Sequence, residues 1–171
     1  EHMNRYNQIR DLDISNGPGC RVSIFLQGCP IHCSGCFNSE LWDFDGGRKV
    51  NDETLDTIHS LVNRPYIKGL SILGGEPLCE ENLQTVAALC DIVKAIPVKT
   101  VWIYTGYSYE GFNEGQKQAI DKADVVVDGK FEKGLYNHDL IFKGSKNQRI
   151  IDWQKTKNEN RIILVSDYAE C

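Results

Sequence analysis

Cys29, Cys33 and Cys36 stand in a C-x3-C-x2-C pattern. Thiolates are soft ligands that take zinc or iron–sulfur clusters. Three of them can hold three irons of a cubane and leave the fourth without a side chain, free to bind a small ligand. The same triplet would serve a structural zinc if a fourth donor joined it, and Cys20, His32 and Cys79 are the candidates. A redox dithiol fits less well, because it leaves the third cysteine unexplained. Pro30 and Gly35 disfavour a continuous helix here, so the sulfurs are expected on a loop that wraps its ligand.

A second feature is Gly74-Gly75-Glu76-Pro77. Two glycines let the backbone turn sharply and approach a ligand, while strand-end amides and carbonyls stay free to bind an amino group. An ordinary strand-to-helix turn would read the same way. Thr105 with Gly106, and Asp128 with Gly129 and Lys130, close two further apolar runs. A hydroxyl, a carboxylate and an ammonium around one mouth would suit a zwitterion carrying ribose hydroxyls. Each taken singly is an ordinary solvated strand end.

Alternating strands and helices must position these groups. Arg21 to Gln27 reads as a strand feeding the cysteine loop, and Gly69 to Leu73, Thr100 to Tyr104 and Asp124 to Val127 as buried strands. Helices are expected from an Asn51 or Asp52 cap to Pro65, through Leu83 to Val93, and around Gln116 to Ala123. Weaker strand candidates follow at Leu140 to Phe142 and Ile162 to Val165. This rhythm predicts an α/β fold, a parallel sheet curved into an incomplete (βα) barrel with helices outside, whose strand C-terminal ends carry the chemistry.

The 171 residues suit one domain, from Met3 to Cys171, with Glu1 and His2 as a cloning remnant. A net charge of −5 disfavours a nucleic-acid backbone as partner. No apolar run approaches a membrane span. Seven cysteines without a signal peptide point to a reducing, cytoplasmic setting, where thiols bind metals more often than they form disulfides.

The triplet followed one βα unit later by Gly74 to Pro77 resembles the radical S-adenosylmethionine superfamily. The longer stretch DISNGPGCRVSIFLQGCPIHCSGCFN (Asp13 to Asn38) narrows the likeness, as do ILGGEPL (Ile72 to Leu78), WIYTGY (Trp102 to Tyr107), VVVDGKF (Val125 to Phe131) and GSKNQRIID (Gly144 to Asp152). Together they resemble the activating proteins of anaerobic (class III) ribonucleoside-triphosphate reductases. Many members of the superfamily place an aromatic residue before the third cysteine; this chain has Gly35, as those activators do.

The resemblance implies a [4Fe-4S] cluster on Cys29, Cys33 and Cys36, whose open iron chelates S-adenosylmethionine. It implies an oxidoreductase of the formate C-acetyltransferase-activase kind. The reduced cluster would cleave the sulfonium to a 5′-deoxyadenosyl radical, which takes a hydrogen from a glycine of the reductase. By position, Gly35, Cys36 and Phe37 would meet the adenine through backbone groups, and Gly74 and Gly75 the methionine amino group. Glu76 and Pro77 would shape that turn, with Thr105, Asp128 and Lys130 as outlying contacts. The reductase is the implied partner and flavodoxin the implied reductant.

Two rivals stand beside this expectation. One is an activase of another glycyl-radical enzyme, although many of those carry a ferredoxin-like insert that is missing after this triplet. The other is a non-catalytic zinc-binding interaction domain. Cys20, Cys79 and Cys90 are expected in structural roles, and Cys171 at a mobile terminus. His32 is placed to donate a hydrogen bond to a sulfur.

Overall fold

The computed structural model describes residues 3–37 and 39–168, so Glu1, His2, Asn38 and Cys171 lie outside the described residues. Seven strands form one sheet in the order β3-β1-β2-β4-β5-β6-β7. They are β1 (Arg5–Asp13), β2 (Arg21–Leu26), β3 (Arg48–Lys49), β4 (Gly69–Gly74), β5 (Thr100–Tyr104), β6 (Val125–Asp128) and β7 (Arg149–Asp152). The α/β expectation holds, and β2, β4, β5 and β6 pair in parallel. The flanks differ from the all-parallel expectation, since β1 is antiparallel to β2 and β3, and β7 to β6.

Burial on both faces explains why the central strands read so clearly. All six residues of β2 and all four of β6 are buried. Their alternating side chains divide the core. Val22, Ile24, Leu26, Leu70, Ile72, Val101, Ile103 and Val126 face the helices, where each contributes about 1.5–3 kcal/mol by leaving water. Trp102, Val125, Val127 and Ile150 face the other way and form a smaller cluster with Tyr104, Phe142 and Tyr168.

The helices are α1 (Asp52–Val62), α2 (Leu83–Lys94), α3 (Glu114–Ala119) and α4 (Trp153–Glu159). A reciprocal cap starts α1, with Thr54 N donating to Asn51 Oδ1 (2.9 Å) and Asn51 N to Thr54 Oγ1 (3.2 Å). The same device at Asn113 and Gln116 starts α3 earlier than the apolar spacing predicts, and the helix ends at Ala119 rather than Ala123. Leu140 to Phe142 is no strand. Phe142 adopts φ +59° and packs edge-on against Trp102, so its apolar character serves the inner face and not a ladder. Ile162 to Val165 reduces to a single bridge between Leu164 and Ile151.

Arg21 is fully buried at the start of β2. Its Nε donates to Ser71 Oγ (2.9 Å), Nη1 to Thr100 Oγ1 (3.0 Å), and Nη2 to the carbonyls of Leu70 (3.1 Å) and Thr100 (3.0 Å). This guanidinium therefore ties three strands together on the inner face. Asp13 holds the connecting loop against the same face, accepting from Ser15 N (2.8 Å), Asn16 Nδ2 (2.8 Å) and Ser23 Oγ (2.5 Å).

Candidate functional site

Parallel pairing brings the ends of β2 and β4 level, with Leu26 opposite Gly74. Beyond that pair the two loops stay stitched. Gly75 N donates to Leu26 O (2.9 Å), Glu76 N to Gly28 O (2.8 Å) and Gly28 N to Leu41 O (2.7 Å). Only glycine fits at two of these positions. Gly74 takes φ +125°, and a Cβ there would overlap the Leu26 backbone; a Cβ on Gly75 would overlap the Gly28 carbonyl.

The cysteine loop leaves β2 at this seam. Cys29 N donates to Trp42 O (3.2 Å), and Cys36 N to Cys33 O (3.1 Å) turns the chain back. Cys29 and Cys33 are buried, and burial pushes both thiols up. Backbone N–H groups of His32 and Ile31 donate to the Cys29 sulfur, and that of Phe131 to the Cys33 sulfur. Such donors favour a thiolate and tune any cluster bound to it. His32 thus reaches a sulfur through its backbone, while its ring stacks on Trp42 at 4.3 Å between centroids and 10° from parallel.

Glu76 is 1% exposed, and its carboxylate fastens three elements. It accepts from Thr105 Oγ1 (2.5 Å), Gly106 N (2.7 Å) and Leu78 N (2.9 Å). Burial outweighs these donors and pushes the carboxyl up to about 7. A carboxyl raised above its unfolded value holds extra protons in the folded state, so its contribution to stability is greatest below pH 4.5 and is lost as pH rises through about 7. Glu76→Gln is expected to remove that dependence. Between pH 5 and pH 8 the unfolding free energy of the variant should gain on the wild type by roughly 3 kcal/mol, measured by urea denaturation at each pH.

These groups border one cleft of about 320 Å³. Cys29, Cys33, Cys36, Phe37, Gly74, Gly75, Glu76 and Thr105 all line it. Gly35, Pro77, Asp128 and Lys130 are not among its lining residues. Asp128 is fully buried on the side of β6 away from Val127, where its carboxylate accepts from Arg149 Nε (3.0 Å), Arg149 Nη2 (2.6 Å) and Tyr109 N (2.8 Å). Arg149 also holds Glu110, whose carboxyl its hydrogen bonds lower to about 2. Lys130 is exposed beyond the strand.

The cleft also takes in Ser15, Asn16, Tyr104, Phe131, Lys143 and Gln148, none of which motif spacing singles out. Tyr104 had a usable signal, since alternation along β5 puts it on the same face as Trp102. Asn82 is a further unread residue. Fully buried, it donates to Glu76 O (2.9 Å) and Gln27 O (3.3 Å) and accepts from Asn4 Nδ2 (2.8 Å).

Among the described residues no three His, Cys, Asp or Glu side chains are grouped closely enough to hold a single metal ion. A cubane asks less convergence, because each thiolate takes its own iron. Of the zinc candidates, Cys79 is 2% exposed and its thiol is pushed up to about 12 by burial and then by Glu81 and Glu76. Cys20 packs against the helix-side core, and Cys90 is 1% exposed within it.

Comparison with known proteins decides the family. A family described as a 4Fe-4S single cluster domain matches residues 15–151. The anaerobic ribonucleoside-triphosphate reductase-activating protein of Enterobacteria phage T4 is 38% identical over 152 residues, covering 88% of this chain and 94% of that protein. The chain belongs to the anaerobic ribonucleoside-triphosphate reductase-activating protein family. The family members from Salmonella typhimurium and Escherichia coli K12 are 39% and 38% identical, each across 84% of this chain and 96% and 95% of their own lengths. In this family member the matched 4Fe-4S segment contains every residue that lines the cleft. Among the described residues no helix is long and apolar enough to cross a membrane.

Proposed function

We propose that this chain is a radical S-adenosylmethionine activase for an anaerobic ribonucleoside-triphosphate reductase. The observation that carries the proposal is the seam between β2 and β4, which gathers three cysteines, a glycine turn and a buried carboxylate around one cleft in a member of this family. The donor set fits a [4Fe-4S] cluster. Three thiols stand on a wrapping loop, two receive backbone N–H donors, and glycine backbone borders the space beside them.

A reduced cluster held here would supply the one electron needed to cleave S-adenosylmethionine into methionine and a 5′-deoxyadenosyl radical, the species that would take a hydrogen atom from a glycine of the reductase. Cys29, Cys33 and Cys36 would hold three irons as thiolates. Gly74 and Gly75 would present backbone to the methionine amino group, with Gly35, Cys36 and Phe37 toward the adenine. Glu76 and Pro77 would fix the turn, and an ammonium beside Glu76 would favour its ionised form. Thr105 acts through Glu76 by its hydrogen bond. Lys130 would stand at the outer rim of the same site, and Asp128, held by Arg149 and Tyr109 off the cleft, would act only by fixing the end of β6. The four parallel strands are read as one wall of an incomplete barrel within a single domain. Flavodoxin as reductant and a cytoplasmic setting complete the proposal.

Anaerobic reconstitution with iron and sulfide tests it. The expected result is a brown protein that forms 5′-deoxyadenosine from S-adenosylmethionine on reduction, and a glycyl radical by electron paramagnetic resonance when the reductase is added. Stoichiometric zinc in anaerobically purified protein, with no cluster on reconstitution, would overturn it.

A further inference from the structure

Segment 130–146 leaves the end of β6, borders the cleft with Phe131, Leu140 and Phe142, and returns to β7. It is closed on itself. Tyr136 pairs with Ser145 across it, Lys146 N donates to Leu135 O (2.9 Å), and Glu132 N donates to the Oγ of buried Ser145 (3.2 Å). It is also fixed to the cysteine loop. The Phe37 ring lies 5.2 Å from that of Phe131 and 5.1 Å from that of Tyr136, between centroids, and the Lys133 stem lies close against Gly35. Ring contacts thus carry the wall of the cleft outward, from Phe37 and Phe131, which line it, to Tyr136, which does not.

The outer side of this rim is apolar where water reaches it. Phe37 is 65% exposed, Tyr136 45% and Ile141 44%. Ile141 stands between Leu140 and Phe142, both of which line the cleft, so it belongs to the same mouth. Large apolar side chains held in water at one mouth forgo hydrophobic stabilisation that a covering surface would recover. Aromatic anchors in a frame already fixed are what protein interfaces use at their centres, because little ordering is left to be done on binding. The charge around them has a sign. Residues 130–146 carry four lysines against two acids in a chain of net charge −5, and Lys130, Lys133 and Lys146 are exposed. An apolar face with carboxylates at its edge would match this rim. The substrate proposed for the cleft is itself a protein, which must lie over this mouth to present its glycine.

We infer that the rim bearing Phe37, Tyr136 and Ile141 is the docking surface for the reductase, and that it takes a face of that protein with an apolar centre and a carboxylate-bearing edge. This inference rests on the proposed activase function. Ile141→Glu and Tyr136→Glu are the variants, since neither residue lines the cleft and both are exposed. Val98→Glu is the control: Val98 is exposed before β5, at the other end of that strand from the cleft residues Tyr104 and Thr105. Three quantities are read on the reconstituted proteins: affinity for the purified reductase by anaerobic calorimetry at low and high salt, 5′-deoxyadenosine formed without reductase, and self-association by sedimentation.

The expected result is affinity for the reductase weakened at least about ten-fold in Ile141→Glu and in Tyr136→Glu, with the larger loss at low salt, where the new carboxylate repels the partner's edge most. Val98→Glu should bind as the wild type does, and all three variants should form 5′-deoxyadenosine without reductase at the wild-type rate. Wild-type affinity in both rim variants would overturn the inference, as would a wild type that does not bind the reductase. So would a wild-type dimer that the rim variants break while their hold on the reductase is unchanged, because a second copy would then be the occupant. A wild type that binds the reductase and forms no 5′-deoxyadenosine would instead overturn the activase chemistry, which separates the two failures.

Discussion

Cys33→Ala is expected to lower 5′-deoxyadenosine formation at least about a thousandfold and to cut the iron and sulfide retained after reconstitution. Cys33 is 8% exposed and lines the cleft together with Cys29 and Cys36. It receives the backbone N–H of Phe131, which joins the cysteine loop to the chain beyond β6. On the proposed ligand assignment, removing the sulfur would remove an iron anchor that neither neighbour could replace. The fold itself should lose little, since Cys33 lines the cleft and belongs to neither core cluster. Cys90→Ala is the matched control. Cys90 sits 1% exposed in the helix-side core, so its loss should cost stability and leave the cluster intact. Iron analysis and quantified 5′-deoxyadenosine separate the two variants, and wild-type turnover in Cys33→Ala would refute the ligand assignment.

Gly74→Ala is expected to destabilise the iron-free protein by on the order of 3 kcal/mol. Two effects add. The position requires φ +125°, a region closed to side chains, and the new methyl group would overlap the Leu26 amide and carbonyl inside the parallel ladder. Neither clash can be relieved by a flexible side chain, because both partners are backbone. Gly134→Ala gives the comparison, since nothing lies within 4 Å of a Cβ placed there. It should stay within about 0.5 kcal/mol of wild type. Urea denaturation of both variants measures the difference, and equal midpoints would contradict the packing described for the seam.

The parallel strands were legible because burial on both faces forces near-continuous apolar runs, as in Val22 to Leu26 and Val125 to Val127. The cysteine loop and the glycine turn were legible because cysteine is scarce and Gly-Gly-Glu-Pro at the end of an apolar run is a marked break in pattern. The first strand was not. Arg5–Asp13 lies mostly toward solvent, carries four charged side chains, and is bent by two register shifts, so no alternation survives in its sequence. Arg149–Asp152 escaped for a related reason: both ends are polar, and Arg149 is there to hold Asp128. Asp128 itself read as a strand-end carboxylate facing a mouth, but counting residues along β6 could not show that a partner on β7 takes its oxygens. Tyr104 and Asn82 are invisible to motif spacing, since what marks them is an unpaired oxygen in one case and three hydrogen bonds, two of them long-range, in the other.

The amide of Glu76 rests on the carbonyl of Gly28, and the amide of Gly28 on the carbonyl of Leu41. Neither loop can therefore open alone without breaking main-chain bonds that the other also depends on. The cysteine loop and the glycine turn must fray as one cooperative unit, so warming that frees the first should free the second at the same temperature.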